Sequence, residues 1–282
     1  MKRYATALTI AGSDPSGGAG LQADLKTFSA LGVYGATAIT AVTVQNTQGV
    51  KYVHKLPPQV VYDQIAAVME DVTVDAVKVG MVNDAATLDA IVRALTAYRP
   101  KFLVVDPVMV STSGCALMQP DALAVMKKRL LPMADLVTPN LPEAWTLAGT
   151  DTSVDDAAQA ILRLGVKALL IKGGHAEGKA KTDYLYIYKG EGVKRAEFTA
   201  ETIDTPNTHG TGCTLSSAIA ALLACGNGLE DAVRKAKEYL TEALKAGADV
   251  HVGRGHGPVC HFYENGVMRF GVIRLYGQTV KP

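Results

Sequence analysis

The chain has 282 residues, of which 48% are hydrophobic and 20% charged, and its formal net charge is +1. This length and composition are typical of one large globular domain with a substantial buried core. The nearly neutral charge argues against nucleic-acid binding, an anionic membrane surface and a polybasic tail. The uncharged segment Thr27–Val50 carries too many polar residues and glycines for a membrane span. The cysteines form no CxxC pair, so we expect free thiols in a reducing cytosol.

Apolar, β-rich segments alternate with amphipathic helical segments as far as residue 172. The predicted strands are Ala5–Ala11, Ala36–Val44, Ala76–Val79, Phe102–Asp106, Leu136–Thr138 and Ala168–Lys172. The predicted helices are Leu21–Leu31, Val60–Val72, Ala85–Tyr98, Asp121–Leu130 and Asp155–Leu164. Short apolar strands separated by helices are typical of a parallel sheet buried on both faces. The pattern therefore predicts an α/β fold with a mainly parallel central sheet and helices on both faces.

A hairpin and two helices are predicted in the last third of the chain. Tyr184–Tyr188 and Val193–Phe198 flank a Lys-Gly-Glu-Gly turn, which indicates an antiparallel hairpin. Helices follow at Thr214–Cys225 and Glu230–Ala246, and the first is apolar nearly all round, so we expect it to be deeply buried. No linker or repeat divides the chain. We therefore predict a single domain over residues 1–263 and a C-terminal tail of unknown role over residues 264–282.

Polar or glycine-rich residues follow every predicted strand of the sheet. In chain order these segments are Gly12–Gly20, Gln45–Asn46, Gly80–Met81, Asp106–Pro107, Pro139–Glu143 and Lys172–His175. Ligands of parallel α/β sheets bind outside the carboxyl ends of the strands. The sequence therefore predicts one binding site at this edge of the sheet.

The glycine-rich loop after the first strand has two interpretations besides a simple turn. Residues 18–23 read GAGLQA and match the GxGxxA pattern of dinucleotide-binding folds. That fold needs an acidic residue near the end of the second strand, where this chain has Gln45. A substrate-binding loop is therefore the interpretation that we favour, and a purely structural turn stays open.

The segment Asn207–Ser217, which reads NTHGTGCTLSS, is the most specific local pattern. Glycines let successive backbone N–H groups point inward, and a helix N-terminus adds positive potential, so together they form an anion site. Cys213 lies in the first turn of the helix, where we expect the same field to favour its thiolate. The structural alternative is a glycine-rich helix start with a small buried cysteine.

Two groups of residues suggest metal sites. Asn140 and Glu143 could hold hydrated magnesium at a helix start, although the same pair could simply cap the helix. The late residues His251, His256, Cys260 and His261 have a spacing that matches no usual zinc site, so we do not assign metal to them.

Between Ala5 and Phe262 the chain carries an ordered series of motifs. They read GSDPSGGAGLQADLKTFSALGVYG, VQNTQGV, DPVMVSTSG, TPNLPEA, KGGH, NTHGTGCTLSSAIA and GHGPVCHF. In these motifs the chain closely resembles the hydroxymethylpyrimidine/phosphomethylpyrimidine kinases of thiamine biosynthesis. The resemblance implies a ribokinase-like fold and the ATP- and Mg²⁺-dependent phosphorylation of 4-amino-5-hydroxymethyl-2-methylpyrimidine, then of its monophosphate. It also implies a homodimer that acts on small molecules, while the charge and the cysteine usage indicate a cytoplasmic protein with no nucleic-acid or membrane partner.

The resemblance also implies roles for residues of the pyrimidine pocket. Gln45 would hydrogen-bond the amino edge of the ring, which suits an amide because it offers both a donor and an acceptor. The other residues that would shape this pocket are Gly12, Asp14, Met81 and Val108.

On the phosphate side, Asn140 and Glu143 match the family's magnesium and phosphate motif, with the metal held through water. Lys172 begins the nucleotide-side segment. The anion hole and the catalytic position of the family are matched by Gly210, Thr211, Gly212 and Cys213. We expect Cys213 to accept the hydroxymethyl proton and Asp106 to add a carboxylate to the catalytic site.

Two other functions stay open. Some relatives phosphorylate pyridoxal or pyridoxine and carry a second cysteine in the lid after DPVMV. Here that position is Ser111, with Cys115 nearby, which argues against efficient pyridoxal kinase activity. A non-catalytic pyrimidine-binding protein is disfavoured because the GTGC and NLPE motifs are intact, and a pure binder needs no phosphate-binding groups.

Overall fold

The computed structural model describes residues 2–111, 114–174, 178, 180–190 and 192–265. The strands are β1 (Thr6–Ser13), β2 (Tyr34–Asn46), β3 (Gly49–Lys55), β4 (Ala76–Val79), β5 (Leu103–Val105), β6 (Leu136–Val137), β7 (Ala168–Ile171), β8 (Ala180–Tyr188) and β9 (Val193–Glu201). The α-helices are α1 (Gly20–Ala30), α2 (Pro58–Asp71), α3 (Ala85–Tyr98), α4 (Pro120–Val125), α5 (Leu141–Ala148), α6 (Val154–Leu162), α7 (Thr211–Ala224) and α8 (Leu229–Gly247).

The nine strands of the described ranges belong to one sheet, in the spatial order β3-β2-β1-β4-β5-β6-β7-β8-β9. The central strands β2, β1, β4, β5, β6 and β7 are parallel to one another. Antiparallel strands flank them, with β3 on one side and the β8–β9 hairpin on the other. The strands that the sequence predicts as the parallel sheet are these central strands, so the mainly parallel architecture is confirmed.

Successive residues of the central strands pack alternately into two hydrophobic cores. In β7, Leu169 and Ile171 face one core, while Ala168 and Leu170 face the other. Helices α2–α6 cover the first core, and α1, α7 and α8 cover the second. Side chains of a strand point alternately to its two faces, so a continuously apolar strand needs helices on both. The predicted placement of helices on both faces is confirmed.

Several elements of the structure differ from their predictions, and the physical reason is clear for three of them. β3 was not predicted, because its residues are half-buried or exposed at the sheet edge and form no apolar run. β8 begins at Ala180 rather than at Tyr184, since its first residues are polar. The predicted helix Asp121–Leu130 ends as α4 at Val125 and continues as a π turn and a 3₁₀ turn. Pro132, which lacks a backbone N–H, prevents a regular α-helix there.

No helix in the described ranges is long and apolar enough to cross a membrane. The apolar N-terminal segment is the buried strand β1, as predicted. A 3₁₀ turn covers Tyr263–Asn265. The rest of the predicted tail, residues 266–282, and His175 of the KGGH motif lie outside the described residues.

Candidate active site

The ends of the parallel strands meet at one edge of the sheet, beside the N-terminus of α7. The Thr43 hydroxyl on β2 donates to the carbonyl oxygen of Ser13 at the end of β1, at 2.9 Å. Farther along the edge, the backbone of Asn140 pairs with that of Lys172. Gly212 of α7 lies against this pair, since a Cβ there would be 3.3 Å from Lys172 Nζ. The structure therefore brings the strand-end residues together, as a parallel sheet requires.

An apolar wall forms part of this edge. Met81 and Val108 belong to one small hydrophobic cluster, together with Ala41 and Leu117. Gly12 passes directly beside it, because a Cβ at this position would lie only 3.1 Å from Met81 Sδ. Three of the predicted pocket residues thus form a surface against which a flat ring can pack.

The two other predicted pocket residues, Asp14 and Gln45, meet at a histidine that the sequence analysis did not assign. Asp14 Oδ2 lies 2.8 Å from His209 Nε2, and Gln45 Nε2 lies 3.4 Å from the same nitrogen. Burial favours a neutral Asp14, but hydrogen bonds from His209, Ser16 and Ala19 outweigh it and lower the pKa of Asp14 to about 2. Asp14 is therefore an ionised acceptor at neutral pH.

Two glycine-rich loops are in backbone contact beside this histidine. They are the first loop, which follows β1, and the anion-site loop, which begins at Asn207 and leads into α7. Gly210 has φ +79°, and a Cβ there would overlap the carbonyl oxygen of Gly18. A Cβ at Gly18 would in turn overlap the His209 ring and would lie 3.2 Å from Pro258 Cβ. The His209 amide donates to the carbonyl of Gly257 at 3.1 Å. The glycines therefore allow the first loop, the anion-site loop and the C-terminal segment to meet.

A buried ion pair lies along the edge where α7 begins. Lys172 Nζ lies 2.7 Å from Asp106 Oδ1, and Asp106 is 1% exposed. Thr138 and Ser216 donate to the same carboxylate, each at 3.2 Å. Burial opposes ionisation of Asp106, but the nearby lysines and these donors keep its pKa below the usual range. The N-terminus of α7, which has no side-chain cap, opens directly beside this pair.

Asn140 and Glu143 form the helix cap that the sequence offered as the alternative to a metal site. Asn140 Oδ1 accepts from the Glu143 amide at 2.9 Å, and Glu143 Oε2 accepts from the Asn140 amide at 2.8 Å. This is a capping box at the start of α5. The Met109 amide makes a longer contact of 3.4 Å with Glu143 Oε1. The cap uses one Glu143 oxygen strongly and leaves the other only weakly bonded.

The charges around Glu143 suit an added cation. Burial raises the pKa of Glu143 and the negative charge of Asp106 adds to the rise, while Lys172 and the two backbone hydrogen bonds offset it only in part. An added positive charge would stabilise the ionised carboxylate. Within the described residues, no group of three or more His, Cys, Asp or Glu side chains could hold a metal ion. Magnesium commonly takes one or two protein oxygens and completes its shell with water and phosphate, so the donor set fits.

Cys213 lies in the first turn of α7, but its predicted low pKa is wrong. Burial raises the pKa of the Cys213 thiol to about 11, and the negative charges of Asp24 and Asp106 add to this effect. Lys78 and a hydrogen bond from the backbone of Gly20 lower the pKa, but by less. The cost of burying the thiolate outweighs these favourable contacts, which the sequence pattern could not reveal.

Beneath Cys213 lies a second ion pair that the sequence analysis missed. The Lys78 and Asp24 side chains are 0% exposed, and Lys78 Nζ lies 2.9 and 3.0 Å from the two Asp24 oxygens. Thr9 and Ser217 donate to the same carboxylate at 2.5 and 2.6 Å. The sequence feature that could have indicated this ion pair is a lysine within the otherwise apolar strand β4.

His256 and His261 contact other parts of the protein and so hold the C-terminal segment in place. His261 Nε2 lies 3.1 Å from Thr214 Oγ1 on α7, and burial lowers the pKa of His261 to about 4. His256 Nδ1 lies 3.1 Å from the carbonyl oxygen of Pro206. These contacts give both histidines a structural role.

Comparison with known protein families and curated proteins gives consistent matches. The family model described as phosphomethylpyrimidine kinase matches residues 14–260. A hydroxymethylpyrimidine/phosphomethylpyrimidine kinase of Rhizobium meliloti is 51% identical over 264 residues, which cover 92% of this chain and 97% of that protein. A thiamine biosynthesis bifunctional protein of Geobacter sulfurreducens is 48% identical over 258 residues, covering 90% of this chain and 51% of that protein.

A solved structure extends the similarity to the whole architecture. The pyridoxal kinase of Staphylococcus aureus, in complex with AMP-PCP and pyridoxal, matches with a TM-score of 0.83 and 35% sequence identity. The match covers 94% of this chain and 96% of that one. The predicted ribokinase-like fold is confirmed.

Proposed function

The chain belongs to the phosphomethylpyrimidine kinase family, and on this premise we propose that it phosphorylates a pyrimidine in thiamine biosynthesis. The substrates are 4-amino-5-hydroxymethyl-2-methylpyrimidine and then its monophosphate, with ATP as the phosphoryl donor. One observation carries the proposal: the polar group around Gln45 and His209 leads directly into the Gly210–Cys213 turn. A ring held by the first group would therefore present a substituent to the anion site.

In the proposed reaction, the apolar wall and Gln45 hold the ring. The oxygen of the hydroxymethyl group attacks the γ-phosphorus of ATP, the bond to the β–γ bridging oxygen breaks, and ADP leaves. Cys213, as the thiolate, accepts the hydroxyl proton. Phosphoryl transfer depends mainly on positioning and charge stabilisation, and the amides at the N-terminus of α7 supply both for the transferring group.

The charged residues of the phosphate side have a supporting role in this proposal. Lys172 lies beside Gly212 and so can neutralise phosphate charge at the N-terminus of α7. Asp106 holds Lys172 in place at 2.7 Å. Asn140 and Glu143 would hold magnesium, with water between metal and protein. When bound, the metal would neutralise the charge of the ATP phosphates.

An ATP-consumption assay with two acceptors tests the function. We expect rapid turnover with the aminopyrimidine and slow turnover with pyridoxal, because Ser111 stands where pyridoxal kinases of this family are expected to carry a cysteine. Pyridoxal kinase is the alternative, and the similarity to the Staphylococcus aureus pyridoxal kinase supports testing it. Faster turnover of pyridoxal would favour the alternative, and turnover of neither acceptor would contradict both functions.

The Gln45→Ala variant is expected to weaken pyrimidine binding more than ATP binding. Loss of the amide leaves the donor and acceptor of the ring edge without partners, at a cost of roughly 1–3 kcal/mol. The two dissociation constants can be measured by isothermal titration calorimetry. The role in pyrimidine recognition is wrong if affinity for the two ligands falls equally.

A pair of substitutions at Glu143 separates a metal site from a helix cap. Glu143→Gln keeps an acceptor for the Asn140 amide but removes the charge, so we expect normal thermal stability and a sharp loss of Mg²⁺-dependent activity. Glu143→Ala also removes the capping hydrogen bond and should lose about 0.5–2 kcal/mol of stability. Melting curves and magnesium titrations of activity distinguish the effects. Full activity in Glu143→Gln would mean that Glu143 only caps α5.

We also propose a homodimer in the cytoplasm, as the family resemblance implies. All four cysteines are free thiols, which supports a reducing compartment. Sedimentation equilibrium of the purified protein checks the oligomeric state, and a monomer at micromolar concentration would contradict the dimer.

A further inference from the structure

His209 joins the two halves of the site, although the motif NTHGTGC in which it lies assigned it no role. Its ring is buried against Gly18, and its Nε2 contacts both Asp14 and Gln45. We propose that His209 is a positioning residue that fixes the orientation of the Gln45 amide and thereby selects an aminopyrimidine edge. This inference rests on the proposed function and adds the residue that sets its specificity.

The hydrogen on His209 Nε2 follows from the Asp14 contact. An ionised carboxylate can only accept hydrogen bonds, so the 2.8 Å contact places a hydrogen on Nε2. The strong donors to Asp14 from its own loop keep that carboxylate ionised. With this hydrogen in place, Nε2 has no lone pair left for a second donor.

This hydrogen decides which way the Gln45 amide faces. The atom of the amide that lies 3.4 Å from His209 Nε2 cannot be its NH₂ group, because two donors would then face each other. Turning the amide by half a rotation places Oε1 there, where it shares the Nε2 hydrogen with Asp14. The NH₂ group then lies on the side of Gln45 away from His209.

The fixed amide imposes an order of groups on the ligand. A ring edge bonded to Gln45 must place a donor opposite Oε1, on the His209 side, and an acceptor opposite the NH₂ group. An exocyclic amino group beside an unprotonated ring nitrogen has this order. A carbonyl beside a ring N–H has the opposite order, so both contacts would be lost.

The same order directs the reacting group to the phosphate side. In the aminopyrimidine, the carbon that bears the hydroxymethyl group is next to the carbon that bears the amino group, on the side away from the ring nitrogen. An amino group on the His209 side therefore places the hydroxymethyl group toward the residues that follow His209, which are Gly210–Cys213. A flipped amide would turn the hydroxymethyl group away from the anion site.

The test compares two ligands on matched variants. Binding of 4-amino-5-hydroxymethyl-2-methylpyrimidine and of its 4-oxo analogue is measured by calorimetry for the wild type, His209→Leu and His209→Gln. We expect the wild type to prefer the amino compound by roughly 100-fold, the scale set by mispaired polar groups. His209→Leu should lower this ratio at least tenfold. His209→Gln should retain it, because its NH₂ group can donate to both Asp14 and Gln45. The control is Thr208→Ala, an exposed neighbour whose ratio should equal that of the wild type.

Several results would overturn the inference. One is an unchanged ratio of amino-compound to oxo-compound affinity in a folded His209→Leu variant. Another is a loss of the preference for the amino compound in both His209 variants and also in the Thr208 control. If His209→Leu does not fold, ¹⁵N NMR of the wild-type imidazole decides: hydrogen on Nε2 supports the proposal, and hydrogen on Nδ1 alone overturns it. A wild type that phosphorylates the aminopyrimidine but binds both compounds equally refutes this inference alone. A wild type that neither binds nor phosphorylates either compound refutes it together with the proposed function.

Discussion

Replacing Cys213 with alanine is expected to lower turnover by roughly 100-fold or more, the scale of general-base catalysis, while both substrates still bind. Cys213 is in the first turn of α7, and its backbone amide belongs to the helix N-terminus. The side chain would receive the hydroxyl proton, whereas the amides that hold phosphate are unaffected by the substitution. Steady-state kinetics with calorimetric binding of ATP and pyrimidine separates loss of turnover from loss of affinity.

The pH dependence provides a second measurement of the same role. The pKa of the Cys213 thiol is about 11, so only a small fraction is the thiolate at neutral pH. If the thiolate is the base, wild-type turnover rises with pH as that fraction grows. Cys213→Asp should retain part of the activity and lose this rise, because a carboxylate is already ionised near neutrality.

A matched cysteine controls for general thiol effects. Cys225, at the C-terminal end of α7, is exposed and distant from the anion site, so Cys225→Ala should leave turnover unchanged. Alkylation should inactivate the wild type, bound pyrimidine should protect it, and mass spectrometry should map the modified residue. Near-normal turnover in Cys213→Ala would leave the residue with a packing role only.

The second large effect is expected in stability. Lys78→Met leaves Asp24 as a buried charge without its partner and should lower the free energy of unfolding by roughly 3–5 kcal/mol. Thr9 and Ser217 still donate to the carboxylate, but they cannot neutralise it. Urea denaturation at neutral pH measures the change.

Two further variants isolate the charge effect. The double variant Lys78→Met/Asp24→Asn contains no buried charge at this place and should recover most of the stability. The control is Lys167→Met, which removes the exposed pair of Lys167 with Asp135 and should cost at most about 1 kcal/mol. A double variant as unstable as Lys78→Met would show that lost packing, rather than the unpaired charge, causes the effect.

The parallel sheet could be predicted from the sequence because its strands are buried on both faces and therefore read as short apolar runs. β3 shows the limit of this signal. It is a half-exposed edge strand that is held by pairing with β2, so its polar residues carry no periodic pattern. The bounds of α3, Ala85–Tyr98, agree with the prediction from its amphipathic pattern, and the structure adds Asp84 as its N-cap.

Residues of the candidate site could be proposed from the sequence where their chemistry lies in one segment, and less readily where it depends on contacts between segments. The Gly210–Cys213 turn could be identified from its letters alone. The pKa of Cys213 depends on burial and on Asp24, which is far away in the sequence, so the local pattern gave the wrong direction. His209 was overlooked for a similar reason, because its partners Asp14 and Gln45 come from the other end of the chain.

The meeting of the first loop, the anion-site loop and the C-terminal segment has a consequence for folding. The pairs that join them span most of the chain: Asp14 and His209 are 195 positions apart, and Asp24 and Ser217 are 193 apart. Contacts between such distant residues form only after a large chain closure, which makes them late events. During synthesis, α2–α6 and their strands are complete before Pro258 has been added, whereas the candidate active site gains its contacts with the C-terminal segment only afterwards. Refolding protein should therefore regain helical content before it regains activity.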